Sequence, residues 1–282
     1  MGDYLHRHPE FADLLRIVGE EMGILPALVE KDYWIMHCLF GLKLAGYSFE
    51  LKGGTSLSKG FGIIDRFSED IDLRINPPEG MAVAVGRNQD KPKQIESRQN
   101  FYDRLAEEIS IDGIISVERD HVFDDEKFRS GGIRLHYPTA TSDEFAFDKV
   151  DIADNRALGI VCYHPGYTLV EKLQTISTKF RKQRETGEFP ANFLRHYYDV
   201  YALLGNTEVL DFLGSDSYFA HKKKRFRSEE RDLTVNPAFN VTDEAVSAEY
   251  QAAYRSTRSL YYRERPTFEK IIERIREFAT KL

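Results

Sequence analysis

Residues 51–75 read LKGGTSLSKGFGIIDRFSEDIDLRI. Phe49 and Leu51 form a short apolar run that ends at Gly53 and Gly54. Thr55 and Ser56 follow, and an amphipathic stretch continues to Ile64. This order predicts a strand over 49–52, a glycine turn and a helix over 56–64. Glycine takes positive φ at little cost and lets backbone approach a phosphate closely. A helix starting at Thr55 or Ser56 would turn unpaired N–H groups toward that phosphate, with the Ser56 hydroxyl as a further donor. A plain strand-to-helix turn needs no more than the same residues, so the turn alone does not decide its use.

Asp70 and Asp72 decide more. They interrupt a second apolar run of Ile71, Leu73 and Ile75, which predicts a strand over 68–75. Residues i and i+2 of a strand share a face, so two carboxylates would project together. Such a pair repels itself unless a cation lies between its members. Mg²⁺ accepts few protein oxygens and keeps its other positions for water and phosphate. The competing reading is an edge strand with two surface acids. The glycine turn upstream favours a metal pair that serves a nucleoside triphosphate. A third carboxylate from a later strand is expected at Asp151 in FDKVDIAD, with Asp148 and Asp154 as rivals.

The rest of the chain bounds this reading. Its 282 residues, 41% apolar, are enough for one large domain or two medium ones with a real core. The net charge of −7 excludes a wholesale basic nucleic-acid coat. Cys38 and Cys162 are the only cysteines and imply no disulfide framework, which suits a reducing cytoplasm. The N-terminal MGDYLHRHPEF has no apolar signal core, and no run is long enough to span a membrane.

Periodicity predicts helices over 8–22, from Pro26 through LVEKDYWIMHCLFGLKL, and over 95–109. Residues 76–94 read as a mobile loop, 120–129 as an exposed turn, and 113–119, 130–137 and 145–153 as strands. After Pro165 the pattern turns helical, through TLVEKLQTISTKFRKQR and then FLRHYYDVYALLG with Gly205 as C-cap, to helices over 244–263 and 267–282. Lys172 and Lys179 are seven apart and share a helical face. A lysine there would neutralise charge on a leaving pyrophosphate. Arg195 and Asp199 have the spacing of an ordinary i, i+4 salt bridge.

These pieces together resemble the AbiEii/AbiGii toxin family of nucleotidyltransferases, which includes the MenT-like toxins. LKGGTSL with RFSEDIDL is similar to the family's phosphate loop and metal motif. EKDYW (30–34), VEKLQTISTK, RHYYDVYAL and YYRERPTFEKIIERI are similar to its other segments. His196 departs from the pattern, which usually has aspartate directly after the arginine. The resemblance implies an α+β fold: a polymerase-beta-like mixed-sheet domain with N-terminal helices over 1–160, then a helical domain over 161–282 that completes the active site.

The resemblance also implies roles. Gly53, Gly54, Thr55 and Ser56 would hold phosphates; Lys52, Lys179 and Arg195, beside these motifs, are further candidates for nucleotide binding apart from the resemblance. Asp70 and Asp72 would hold Mg²⁺, two ions, with Mn²⁺ as the alternative. Lys172 would contact the triphosphate, and Asp199 would be an essential acid. The implied activity is nucleotide transfer from an NTP to RNA, notably a tRNA 3′ end, by a toxin with a cognate antitoxin encoded nearby, whether or not the two bind.

Two basic runs support an RNA acceptor apart from the resemblance. Lys179, Arg181, Lys182 and Arg184 form one run, and Lys222, Lys223, Lys224, Arg225 and Arg227 form a second, with Phe226 inside it. Basic groups would meet phosphates, and the aromatic could stack on a base. Two solvated loops would look the same. The alternatives are a small-molecule acceptor on the same fold, or a catalytically silent binder of NTP or a partner protein.

Overall fold

A computed structural model describes residues 3–68, 70–86, 88–141, 157–190 and 193–282. In chain order it contains α1 (Phe11–Met22), α2 (Pro26–Leu44), β1 (Phe49–Lys52), α3 (Gly53–Thr55), β2 (Asp72–Ile75), α4 (Pro92–Glu108), β3 (Ser116–Asp120) and β4 (Gly132–His136). There follow α5 (Pro165–Thr186), α6 (Arg195–Leu203), α7 (Thr207–Phe212), α8 (Asp216–Arg225), α9 (Glu244–Ser256) and α10 (Phe268–Phe278). Helices and small sheets together make this a mixed α+β chain. Among the described residues no helix is long and apolar enough to cross a membrane.

The chain divides into two compact units. One comprises Met1–Glu50 and Leu73–Val161, the other Leu51–Asp72 and Cys162–Leu282. A division at residue 160 would place the glycine turn and Asp70 with the N-terminal part. Compactness groups them with the helices instead, because Leu57 and Ile64 are buried in the same core as α5 and α6.

In the first unit, α1 and α2 pack together. Pro26 opens α2 at its first turn, where a missing N–H breaks no helical bond. Trp34, Ile35, Cys38, Leu39 and Leu42 form the buried side of α2. Glu30 is buried on the same helix, and its carboxylate accepts the Ala140 N–H at 2.7 Å and the Thr141 hydroxyl at 2.8 Å. The strands β3 and β4 form an antiparallel hairpin, with Ser116 opposite His136 and Asp120 opposite Gly132.

In the second unit, α5 is the central helix and packs on α6, α7 and α8. Leu169, Val170, Leu173 and Ile176 leave α5 with a fully buried stripe. Tyr197, Val200 and Leu203 of α6, Tyr250 of α9 and Ile271 and Ile275 of α10 complete this core. A parallel bridge joins Leu51 to Cys162, so the segment that leads into α5 lies beside the end of β1.

Several expected elements shift. The helix expected over 56–64 begins at Gly53, passes into a π-helical turn at Ser56–Gly60 and stops there. Phe61 donates its N–H to the Ser56 carbonyl, the i to i+5 bond that ends the turn. The strand expected over 68–75 begins only at Asp72, so Asp70 sits on a bend before it. Helix α4 starts at Pro92 rather than Ile95, and α6 is capped by Leu204 in a right-handed conformation rather than by Gly205. The strand expected over 145–153 lies outside the described residues.

Candidate active site

The glycine turn and the aspartate pair come together within the second unit. Gly53 has φ of 66°, the left-handed region that favours glycine. A Cβ on Gly53 would stand 2.8 Å from Asp72 Cγ and nearer still to its Oδ2. The Asp72 carboxylate therefore lies directly on the turn, in space that a side chain at 53 would fill. Asp70 is fixed through its backbone: its carbonyl accepts the Thr55 hydroxyl at 2.8 Å and the Ser68 hydroxyl at 3.2 Å. Its carboxylate is 58% exposed, with Arg195 Nη2 at 3.9 Å. Two exposed carboxylates beside a glycine turn fit a hard divalent cation that keeps positions for phosphate oxygens.

Thr55 and Ser56 take a different part from the one their sequence suggests. Both are buried, and the Ser56 hydroxyl donates to the Gly53 carbonyl at 3.0 Å. Their side chains brace the turn from inside, and only its backbone is open at the surface of the turn for an outside anion.

Asp199 does not pair with Arg195 in the manner its spacing suggests. It is fully buried and bound by Arg66, with Nε 2.7 Å from Oδ1 and Nη2 2.6 Å from Oδ2. Lys172 Nζ lies 3.0 Å from Oδ2 of the same carboxylate. Burial would raise the Asp199 pKa, but Arg66 and then Lys172 hold it well below the ordinary carboxylate range. Arg66 is missed by the sequence reading. The signal was a guanidinium between apolar residues Ile63, Ile64 and Phe67, which needs a buried carboxylate to be tolerated.

Cations gather on the α5 and α6 side. Burial lowers the Lys179 pKa, and Arg195, Lys172 and Lys182 lower it further, so these four groups share one field. Lys179 donates to His196 Nε2 at 3.4 Å. Burial, then Lys172, lowers the His196 pKa well below its usual value, so the imidazole is neutral and adds no positive charge. His196 thus serves Lys179 rather than Arg195.

Lys52 belongs to a second cluster. Its Nζ is 3.4 Å from Glu171 Oε1 and 4.4 Å from the centre of the Tyr163 ring. Glu171 also pairs with Arg225, and His221 Nε2 is 3.5 Å away. Burial would raise the Glu171 pKa, but His221, Lys52 and Arg225 bring it down to about 2. Glu171 too escaped the sequence reading, because a single acid in a charged helix carries no local mark.

The basic runs are only partly open. Lys182, Lys223 and Lys224 are exposed. Arg184 pairs with Glu249 at 3.1 Å, Arg225 with Glu171, and Lys222 with the carbonyl of Leu282. Phe226 is a core residue, 4% exposed, which rules out base stacking by that ring. The run at 222–225 forms the last turn of α8 rather than a loop. Asp151, Asp148 and Asp154 lie outside the described residues.

A carboxylate pair on a glycine turn, with a clamped lysine and a cationic helix face nearby, has the layout of a nucleotidyltransferase-like site. The chain belongs to the family described as nucleotidyl transferase AbiEii toxin, type IV TA system, which it matches over residues 34–274. No curated protein and no solved structure matches the chain.

Proposed function

We propose that this protein transfers a nucleotide from an NTP to the end of an RNA acceptor, a tRNA 3′ end being the favoured target. The observation that carries the reading is the Asp72 carboxylate seated on the Gly53 turn, with Asp70 braced beside it by Thr55. Asp70 and Asp72 would hold two Mg²⁺ ions, or Mn²⁺ in their place. Bound there, the metal supplies charge neutralisation on the attacking and leaving oxygens.

The acceptor hydroxyl forms a bond to the α-phosphorus, the bond from that phosphorus to the bridging oxygen breaks, and pyrophosphate leaves. The hydroxyl proton passes to Asp151, the proposed third carboxylate, or to solvent. Backbone at Gly53 and Gly54 approaches the phosphates. Lys172, held by Asp199, meets the triphosphate together with Lys179 and Arg195. Lys52, paired with Glu171 at the entrance to the glycine turn, is the further nucleotide-binding candidate. Lys182, Lys223 and Lys224 would contact acceptor phosphates. The type IV family also implies a cognate antitoxin.

A second reading, a small-molecule acceptor, is favoured by the internal pairing of Arg184, Lys222 and Arg225, which shortens any RNA track. The test incubates the protein with Mg²⁺, total RNA and each α-labelled NTP, with an Asp70→Ala/Asp72→Ala control. Label in a tRNA-sized band that the control lacks is the expected result. Full transfer by the control would overturn the assignment of the pair. Label confined to small molecules would select the second reading.

A further inference from the structure

In the first unit, three side chains from separate segments converge. His6 lies on a 3₁₀ turn at Leu5–Arg7, His37 on α2, and Asp112 in the loop after α4. One ligand atom from each lies within 4.8 Å of the other two, the only such His/Cys/Asp/Glu grouping among the described residues. Both imidazoles are buried: the His6 side chain is 3% exposed and His37 is 1% exposed.

Each group is already oriented. His6 Nδ1 is 2.8 Å from the Tyr33 hydroxyl, and its Nε2 is 3.0 Å from Asp112 Oδ1. His37 Nε2 donates to the Asp112 carbonyl at 2.8 Å. Arg7 grips the carboxylate, with Nε 3.0 Å from Oδ1 and Nη2 bonded to Oδ2. Histidines that ligate metals are held by a hydrogen bond through the other ring nitrogen, and ligating carboxylates are themselves hydrogen-bonded. A cavity of about 260 Å³, lined by Tyr4, His37, Phe40, Leu44, Ile111 and Asp112, opens beside the cluster.

We propose that His6, His37 and Asp112 form a zinc-type divalent metal site, separate from Asp70 and Asp72. Two imidazoles and one carboxylate suit Zn²⁺, whereas Mg²⁺ takes oxygen ligands. Zinc–nitrogen bonds of about 2.0–2.1 Å place tetrahedral ligand atoms roughly 3.4 Å apart, within a small side-chain adjustment of the observed spacing. The cavity leaves the fourth position to water or a small anion. The ion would add a metal staple to the N-terminal turn, α2 and the loop after α4, which hydrogen bonds, the Arg7–Asp112 ion pair and the rings of Tyr4, His6, Trp34 and His37 already join here.

The test uses the full chain carrying Asp70→Asn and Asp72→Asn, so that the other acid pair does not compete. Co²⁺ is titrated and its visible ligand-field absorption recorded, then Zn²⁺ is added. The expected result is a tetrahedral-type band that saturates at one Co²⁺ per chain and is displaced by Zn²⁺. His37→Gln and His6→Gln should abolish it. Tyr33→Phe should weaken binding by about 10–100-fold through loss of the orienting hydrogen bond. Should either histidine variant fail to fold by circular dichroism, Asp112→Asn reads the same loss at a half-exposed position. The absence of a band, or a band that survives in the folded variants as an adventitious ion would, overturns the proposal.

Discussion

Arg66 grips Asp199 through two parallel hydrogen bonds of 2.7 and 2.6 Å, across 133 residues of sequence. Arg66 also donates to the Phe67 carbonyl at 2.7 Å. The segment that leads into Asp70 is thereby tied to α6, and through Lys172 to α5. A buried ion pair contributes little net stability against an apolar replacement, but losing one partner strands a charge. Asp199 thus holds Arg66 and Lys172 in place.

Asp199→Asn should therefore destabilise the second unit by about 3–5 kcal/mol, because Arg66 and Lys172 lose their shared counter-ion. Thermal unfolding measures this. Arg66→Met/Asp199→Leu should be less destabilised than Asp199→Asn and still lack transfer activity. A single variant with unchanged Tm would contradict the clamp.

Gly53→Ala should abolish nucleotide transfer while the fold survives. The backbone cost of positive φ is about 1–2 kcal/mol, and the new methyl displaces the Asp72 carboxylate. Gly62→Ala is the control: its φ is 63°, but nothing lies within 4 Å of its added Cβ. It carries the same backbone cost and should keep activity. Equal loss of transfer in both variants would mean that backbone strain alone matters.

Stability should fall in acid through Asp199 and Glu171. Both folded-state pKa values are depressed, Glu171 to about 2 and Asp199 well below its usual value. Their contribution is fully present above the unfolded carboxylate range near pH 4–4.5 and is lost as pH falls through the folded values. Unfolding midpoints from pH 6 to about pH 2 should drop steeply in that window. Glu171→Gln should flatten the curve at its acid end, and an unchanged curve would remove Glu171 as a contributor.

Lys223→Ala/Lys224→Ala should leave Tm unchanged, since both side chains are exposed. RNA affinity should fall and its log–log salt slope shrink by about 1.4, from roughly 0.7 per phosphate contact on a single strand. Arg225→Ala should instead lower Tm, because it strips a partner from the half-buried Glu171. An unaltered salt slope in the double variant would detach α8 from RNA binding.

Local chemistry settled much of this protein in advance. Apolar spacing, Pro26 and Pro165 marked α1, α2 and α5, because helical periodicity and a missing N–H act within a few residues. Gly53 with Asp72 was legible for a similar reason: turn and strand are near neighbours, and only glycine fits beneath that carboxylate. Tertiary structure alone decided the partners of buried charge. Asp199 faces Arg66 rather than its i, i+4 neighbour Arg195, because a desolvated carboxylate takes the bidentate guanidinium the core brings to it. Phe226 left the basic run for the core, and Glu171 drew Lys52 and Arg225 together, through packing that no stretch of sequence records.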